Sequence, residues 1–417
     1  MARKILKRGG QLLLIPVATG LAVMILLALA YLLPTGGMKA HVRNTLDNFE
    51  KEGQYFYSLT GEAGSGHDNF IEALYLNQAI VGTEDAGLFD CVLNGYDYVY
   101  TDPGDPIGNL IMAVTDPESV TVTDTEKRFF NGHVIFLKPL LTVMGYTGIR
   151  TFCLYFCLAG TALLGYLLYR RGFGKFILPV MLSILFLRPV AVWTNTAFTG
   201  IYACMLIPCI AMLCLKKETL REKAWLVFGI TGSVTFCFNM NYFQLICFGM
   251  PLLLYMLITG FPEKPAEVVK TVAGLFIAWM AGYAGAMVFK WAVYSAATGE
   301  SIFGAMVSHA LWRSGVDEGS RLETILTNAG IAFGSLWWDL AEAAFVAYTL
   351  IRRGKNRAKA AVSAAEILLL LAALLIPAGR LAILANHSMH HAGFVYRVLA
   401  IPVLAFNLLI TKRSQAA

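Results

Sequence analysis

Residues 1–33, MARKILKRGGQLLLIPVATGLAVMILLALAYLL, set four cations (Arg3, Lys4, Lys7, Arg8) ahead of an uncharged run from Gln11 to Leu33. A helix needs about 20 apolar residues to cross a hydrocarbon core of about 30 Å, and this run supplies them. A basic front and an apolar centre also describe a signal peptide. This run is longer than a signal-peptide core, and Pro34-Thr-Gly-Gly offers no A-x-A cleavage site. It therefore reads as a retained first helix with its N-terminus in the cytoplasm.

Further apolar runs lie near 149–169, 174–192, 196–215, 224–239, 243–260, 268–290, 326–351, 361–383 and 393–411. With 57% hydrophobic residues, 14% charged and a mean hydropathy of +0.61, the chain falls among polytopic membrane proteins. The expected fold is all-α, with about ten spans and a large extracytoplasmic first loop. Three regions follow: 1–33 (tail and first span), 34–148 (outer loop with interfacial helices) and 149–417 (the multi-span domain).

Charge orients these runs. The N-terminal group, Arg170/Arg171/Lys175, Lys216/Lys217/Arg221/Lys223, Lys264/Lys270, Arg352/Arg353/Lys355/Arg357/Lys359 and Lys412/Arg413 hold 20 of the 33 Lys and Arg residues. All fall in short connectors or tails on one side, and that bias predicts the cytoplasmic face and places both termini there. Segment 34–138 holds 16 of the 27 Asp and Glu residues. The net charge of +6 thus divides into a basic inner and an acidic outer face. No basic-aromatic surface points to nucleic acid. All seven histidines (41, 67, 133, 309, 387, 390, 391) fall on the outer side. Of eight cysteines only Cys91 lies in the outer segment, and no disulfide framework or metal-thiolate spacing emerges. The last few residues read as a frayed tail, and no oligomeric state follows from the sequence.

Within the outer segment, 40–57 reads as an amphipathic surface helix through Val42, Leu46, Phe49, Tyr55 and Phe56. Residues 69–81 show helical apolar spacing, while 100–106 and 115–118 carry turn chemistry. Residues 129–146, interrupted at Lys138-Pro139, read as a re-entrant or interfacial helix. Gly61-Glu-Ala-Gly64-Ser-Gly66 lacks the Lys-Ser/Thr of a phosphate loop and reads as a flexible connector.

Four groups bear chemistry. His67-Asp68-Asn69 opens the 69–81 helix. It reads either as an N-cap, with Asn69 and Glu72 at capping-box spacing, or as a general base beside an imidazole. Arg128-Phe-Phe-Asn-Gly-His133 reads as a headgroup anchor or as a phosphate contact. Asn386-His387-Ser-Met-His390-His391, followed by Tyr396-Arg397, fills the last outer loop. His387 and His391 are spaced for a metal pair, but no cysteine or H-E-x-x-H pattern accompanies them. The other reading joins them with Arg380 and Arg397 to bind an anion, since arginines near hydrocarbon are costly unless partnered. That partner is a ligand phosphate or carboxylate, or Asp68 and Glu72. Finally, Asp339 and Glu342 read as intramembrane acids on one helical face, either functional or paired with Arg188 or Lys290.

This arrangement resembles the GT-C superfamily of polytopic glycosyltransferases, which use polyprenyl-phosphate-linked sugars at the outer face. It also resembles a group of uncharacterised Gram-positive membrane proteins with similar Arg-x-x-x-Gly-His and Asn-His-Ser…Tyr-Arg stretches. The resemblance covers the whole chain by architecture and about three short motifs by residue. It implies Asp68 as base on an acceptor hydroxyl, with Glu72 as a second catalytic candidate. It also implies Arg380, Arg397 and His387 on the lipid phosphate, among substrate-binding residues that include His67, Arg128, His133, His391 and Tyr396. The implied partners are a lipid-linked sugar or other anionic lipid and the bilayer. With no Asp-x-Asp pair, no cofactor is expected and a divalent metal has no ligand motif. Two rivals stand: a transporter or flippase for an anionic substrate, coupled through Asp339 and Glu342, and a non-catalytic envelope scaffold.

Overall fold

A computed structural model describes residues 2–56, 61–62, 64–238, 242–317, 319–355 and 362–414. Helix α1 (Ala2–Tyr31) stops short of Pro34. A cap of short helices follows: α2 (Gly36–Arg43), α3 (Asp47–Glu52), α4 (Asn69–Ile80), α5 (Thr83–Ala86), α6 (Leu88–Leu93), α7 (Pro106–Thr115) and α8 (Val134–Val143). Two antiparallel hairpins tie the cap together. One pairs β1 (Tyr55–Phe56) with β2 (His67–Asp68), the other β3 (Tyr96–Val99) with β4 (Thr121–Asp124). The membrane part then runs through α9 (Tyr146–Arg170), α10 (Ile177–Phe186), α11 (Pro189–Trp193), α12 (Thr196–Cys214), α13 (Lys217–Cys237), α14 (Ile246–Thr259) and α15 (Pro265–Thr298). It ends with α16 (Phe303–Ser314), α17 (Arg321–Ala332), α18 (Leu336–Lys355), α19 (Ala364–Ile383), α20 (Ala385–His390), α21 (Ala392–Val395) and α22 (Ala400–Arg413).

Among the described residues six stretches are long and apolar enough to cross a membrane: Gly9–Tyr31, Tyr146–Arg170, Thr196–Cys214, Pro265–Thr298, Ala364–Ile383 and Ala392–Arg413. The chain is an all-α membrane protein in those terms. Four of the ten apolar runs read from the sequence do not form one long apolar helix, each for a local reason. The run 174–192 breaks at Arg188, which takes a φ of 58° ahead of Pro189, a residue that disfavours right-handed helical backbone at the position before it. The run 243–260 yields only the 14 residues of α14. In α13, Arg221, Glu222 and Lys223 lie ahead of the apolar turns. The run 326–351 divides at Phe333-Gly334-Ser335, so Asp339, expected near mid-run, sits in the first turn of α18. Helix α8 has ten residues, too few to cross alone. The expected 40–57 helix is only α2 and α3 with a turn between them: helix stops at Gly53, with a φ of +67°, and Tyr55–Phe56 form strand β1 instead, residue 57 lying outside the described residues.

Within the bilayer lipid competes with any apolar surface, so helices associate closely where small residues let backbones meet. Helices α13 and α15 do this through Gly229, Gly232 and Gly282, and Ser233 Oγ donates to the Gly282 carbonyl at 3.0 Å. A Cβ at 232 would fall on the Trp279 carbonyl, and one at 282 on that of Gly229. Gly232→Ala or Gly282→Ala should therefore force the backbones apart and cost roughly 1–3 kcal/mol or more. Gly274→Ala, which meets open space on α15, should cost little. Thermal midpoints of the three variants in detergent check this, and an unchanged midpoint for Gly282→Ala would refute the crossing.

The cap joins one end of the helical body, where Gly132 N donates to Cys237 O at 3.1 Å, and α8 is held within the cap by Lys138 Nζ donating to Val81 O at 2.8 Å. The other end gathers basic connectors. There Arg221 Nη2 donates to Thr259 O at 2.5 Å, Lys412 lies 5.4 Å from the Phe261 ring centre, and Lys412 and Arg413 both pair with Glu366. Arg357, Lys359 and the tail 415–417 lie outside the described residues, as do the side chains of Arg3, Lys4, Lys7, Arg8, Arg353, Lys355, Tyr55 and Phe56.

Candidate functional site

The start of α4 is built from its own sequence. Asp68 is the N-cap, its Oδ1 accepting from Ile71 N at 3.3 Å. The capping-box partners are used elsewhere. Asn69 donates to Gly53 O at 2.8 Å and accepts from Arg150 Nη2 at 2.9 Å. Glu72, fully buried, accepts from Thr196 N at 2.8 Å, Thr196 Oγ1 at 2.5 Å, Ala197 N at 3.2 Å and Tyr146 OH at 2.7 Å. Its carboxylate thus sits on the positive N-terminus of α12 and binds the cap to the membrane helices. Both oxygens are occupied by donors.

His67 is held from two sides. Its Nε2 lies 2.6 Å from Thr194 Oγ1, and its Nδ1 lies 4.0 Å from Glu52 Oε2. Glu52 receives a bidentate pair from Arg150, at 2.5 and 2.7 Å. Burial opposes the Glu52 charge, but the neighbouring His67 and Arg150 outweigh it and hold the carboxyl at about 2. Sequence reading missed Glu52, Arg150 and Thr194. A lone arginine at the mouth of the 149–169 run was the available signal.

The glycine-rich loop before His67 is pinned. Arg397, fully buried, donates from Nη2 to Gly64 O at 2.8 Å and from Nε to Leu187 O at 2.8 Å. Its guanidinium lies 5.0 Å from the Phe198 ring centre and 5.4 Å from that of Phe243. Tyr396 OH donates to the same Gly64 carbonyl at 3.2 Å. Gly64 has a φ of +78°, and a Cβ there would strike the Tyr396 ring. The connector expected to be flexible is therefore gripped by the last outer loop.

Between these elements lies a cavity of about 300 Å³. Gly64, Gly66, His67 and Asp68 form one wall, His390, His391, Gly393 and Phe394 the facing one, and Phe198 and Ile331 close the sides. Burial, with the charge of Glu72, pushes the Asp68 carboxyl up to about 7, while the Ile71 amide and Arg397 restrain the rise. Burial holds His391 down at about 4, and the neighbouring His390, Arg313 and Arg380 add to this. The cavity thus holds a carboxyl poised to exchange a proton near neutrality, beside a neutral imidazole, on a cationic flank. Arg380 stands nearby, donating to Ser388 Oγ at 3.0 Å and Tyr242 O at 2.8 Å, and the His387 and His391 rings are 4.8 Å apart. Among the described residues no group of three or more His, Cys, Asp or Glu is arranged to hold a metal ion.

Other sequence candidates lie elsewhere. Arg128 pairs with Glu126 at 3.0 Å and contacts His309 Nε2 at 2.6 Å. Arg313 of α16, unremarked in the sequence, is pushed below its ordinary value by burial and by Arg128. His133 is buried, its ring stacked 3.5 Å from that of Tyr75, and burial drives it down to about 3. Glu342 accepts from Asn407 Nδ2 at 3.1 Å. Arg188 lies 3.8 Å from Glu62 and Lys290 Nζ donates to Leu93 O, so neither serves the acids of α18 as an ion-pair partner.

The first turns of α12 separate this cavity from a second space. Phe198 faces the cavity, whereas Thr196 and Thr199 line an apolar groove of about 610 Å³ between α8, α9, α12 and α13. No family model, curated protein or solved structure matches the chain.

Proposed function

We propose that this chain is a multi-pass enzyme of the cell membrane, resembling GT-C glycosyltransferases, that moves a sugar from a polyprenyl-phosphate-linked donor to an envelope acceptor at the outer face. The observation that carries the reading is the cavity in which Asp68, a near-neutral carboxyl, faces the His390-His391 loop. In this reading Asp68 takes the proton of the acceptor hydroxyl as its oxygen bonds to the sugar carbon. The bond from that carbon to the phosphate oxygen breaks, and the electron pair leaves on the lipid phosphate. Fixed donors are worth most where charge develops in a site shielded from water, and the histidine loop lines the cavity while Arg380, held on Ser388 and Tyr242, adds positive charge behind it. The apolar groove between α9, α12 and α13 has room for part of the lipid chain.

The proposed topology has ten crossings and both termini in the cytoplasm, the basic connectors lying at the end away from Asp68. Asp339 and Glu342, on which a transporter reading would rest, lie on α18 and do not line the cavity. The test is reconstitution of the purified chain in vesicles with a radiolabelled polyprenyl-phosphate sugar and envelope acceptors. Transfer of label from lipid to acceptor is expected. Movement of label across the vesicle wall without transfer would overturn the reading.

A further inference from the structure

Helix α12 runs from the Asp68 cavity to its far end in 19 residues, about 28 Å at 1.5 Å per residue. There a cleft of about 720 Å³ opens between the start of α13, the end of α14 and the start of α15. Lys217 and Arg221, one turn apart on α13, line one side. Glu267 and Lys270 of α15, with Glu263 of the connector before it, line the other. Trp225 and Tyr255 continue the wall toward the apolar part of the helices.

The charges are arranged in an unusual way. Among the described residues no ion pair forms between these cations and these carboxylates, although both signs face one space. Arg221 alone is anchored, through Nη2 to the Thr259 carbonyl. A ligand with one charge would satisfy one wall and leave the other unmatched. The site also lies where basic connectors gather at the ends of apolar helices, and basic pockets between such helices bind phospholipid headgroups. Tryptophan and tyrosine favour the same boundary layer.

We propose that this cleft binds a phospholipid whose headgroup carries both a phosphate and a primary ammonium, the phosphatidylethanolamine class. The phosphate meets Lys217, Arg221 and Lys270. The ammonium meets Glu263 and Glu267, and the chains leave past Trp225 and Tyr255. This site is independent of sugar transfer and rests only on the chain lying in a bilayer.

Native mass spectrometry of the delipidated full chain tests it, by titration with phosphatidylethanolamine, phosphatidylglycerol and phosphatidylcholine of matched chains, and separately with inorganic phosphate. Phosphatidylethanolamine should bind about tenfold or more tighter than the other two. The triple variant Lys217→Ala/Arg221→Ala/Lys270→Ala should bind it on the order of a hundredfold more weakly. Glu263→Gln/Glu267→Gln should erase the preference for ethanolamine over choline, and it keeps the test decisive should the triple variant misfold. Equal binding of the three lipids, an unaltered preference in the glutamine variant, or inorganic phosphate displacing the lipid stoichiometrically would each overturn the assignment.

Discussion

Asp68→Asn should abolish sugar transfer by a factor of about 10²–10⁴, the usual contribution of a positioned general base, while leaving the protein folded. The two outcomes separate because Asp68 has two tasks. As an N-cap it accepts from the Ile71 amide, and an asparagine side chain supplies the same oxygen. As a base it must take a proton, which an amide does not. In the wild type, transfer should rise with pH as the carboxyl ionises around 7. The stability sign is the opposite. The folded value lies above the ordinary 3.8, so folding favours the neutral acid, and stability is lost as pH rises from about 4 to about 7 and is level beyond. The variant should lack that loss, so its melting midpoint relative to wild type should be higher at pH 8 than at pH 4. Turnover and melting of both proteins at several pH values check both halves. Wild-type turnover in a well-folded variant would remove Asp68 from the chemistry.

What the sequence disclosed follows the range of the forces involved. Helix α4 was legible because its signals are local: apolar spacing over 69–81 and a capping residue at 68. The break in the 326–351 run carried a weaker local sign, Gly334-Ser335, inside an otherwise apolar stretch. The β3/β4 hairpin escaped notice although Tyr96–Val99 and Thr121–Asp124 are rich in strand-forming residues, because more than 20 residues of turn and helix separate them. Glu72 shows the limit most clearly. Its spacing from Asn69 fits a capping box, yet its partners are Thr196 and Tyr146. No local rule announces a carboxylate that caps a helix 124 residues away. The burial cost of Arg380 and Arg397 called for a partner without saying which, a ligand or Asp68 and Glu72, and that Asp68 and the His390-His391 loop line one cavity is a long-range fact of the fold.

Arg397→Ala should destabilise the protein by about 3–5 kcal/mol even with no substrate present. A guanidinium near hydrocarbon requires a partner, a ligand anion or Asp68 and Glu72, and the GT-C resemblance implies a lipid phosphate for that place. Its partners are instead the carbonyls of Gly64 and Leu187, with Phe198 and Phe243 beside the guanidinium. Removing the side chain leaves the Leu187 carbonyl without its side-chain donor and the Gly64 carbonyl with Tyr396 OH alone, opens a large void and loosens the loop that carries His67 and Asp68. Lysine restores the charge but not the planar fork that reaches two carbonyls, so Arg397→Lys should fall between. Arg397 also restrains the rise of the Asp68 value, so the pH at which residual transfer appears should move upward in the alanine variant. A phosphate-binding arginine would behave differently: its loss would weaken donor binding and leave the melting of the empty protein unchanged. Melting without donor, together with proteolysis within residues 61–68, therefore decides between the two roles. An unaltered midpoint and an uncut loop would return Arg397 to the phosphate.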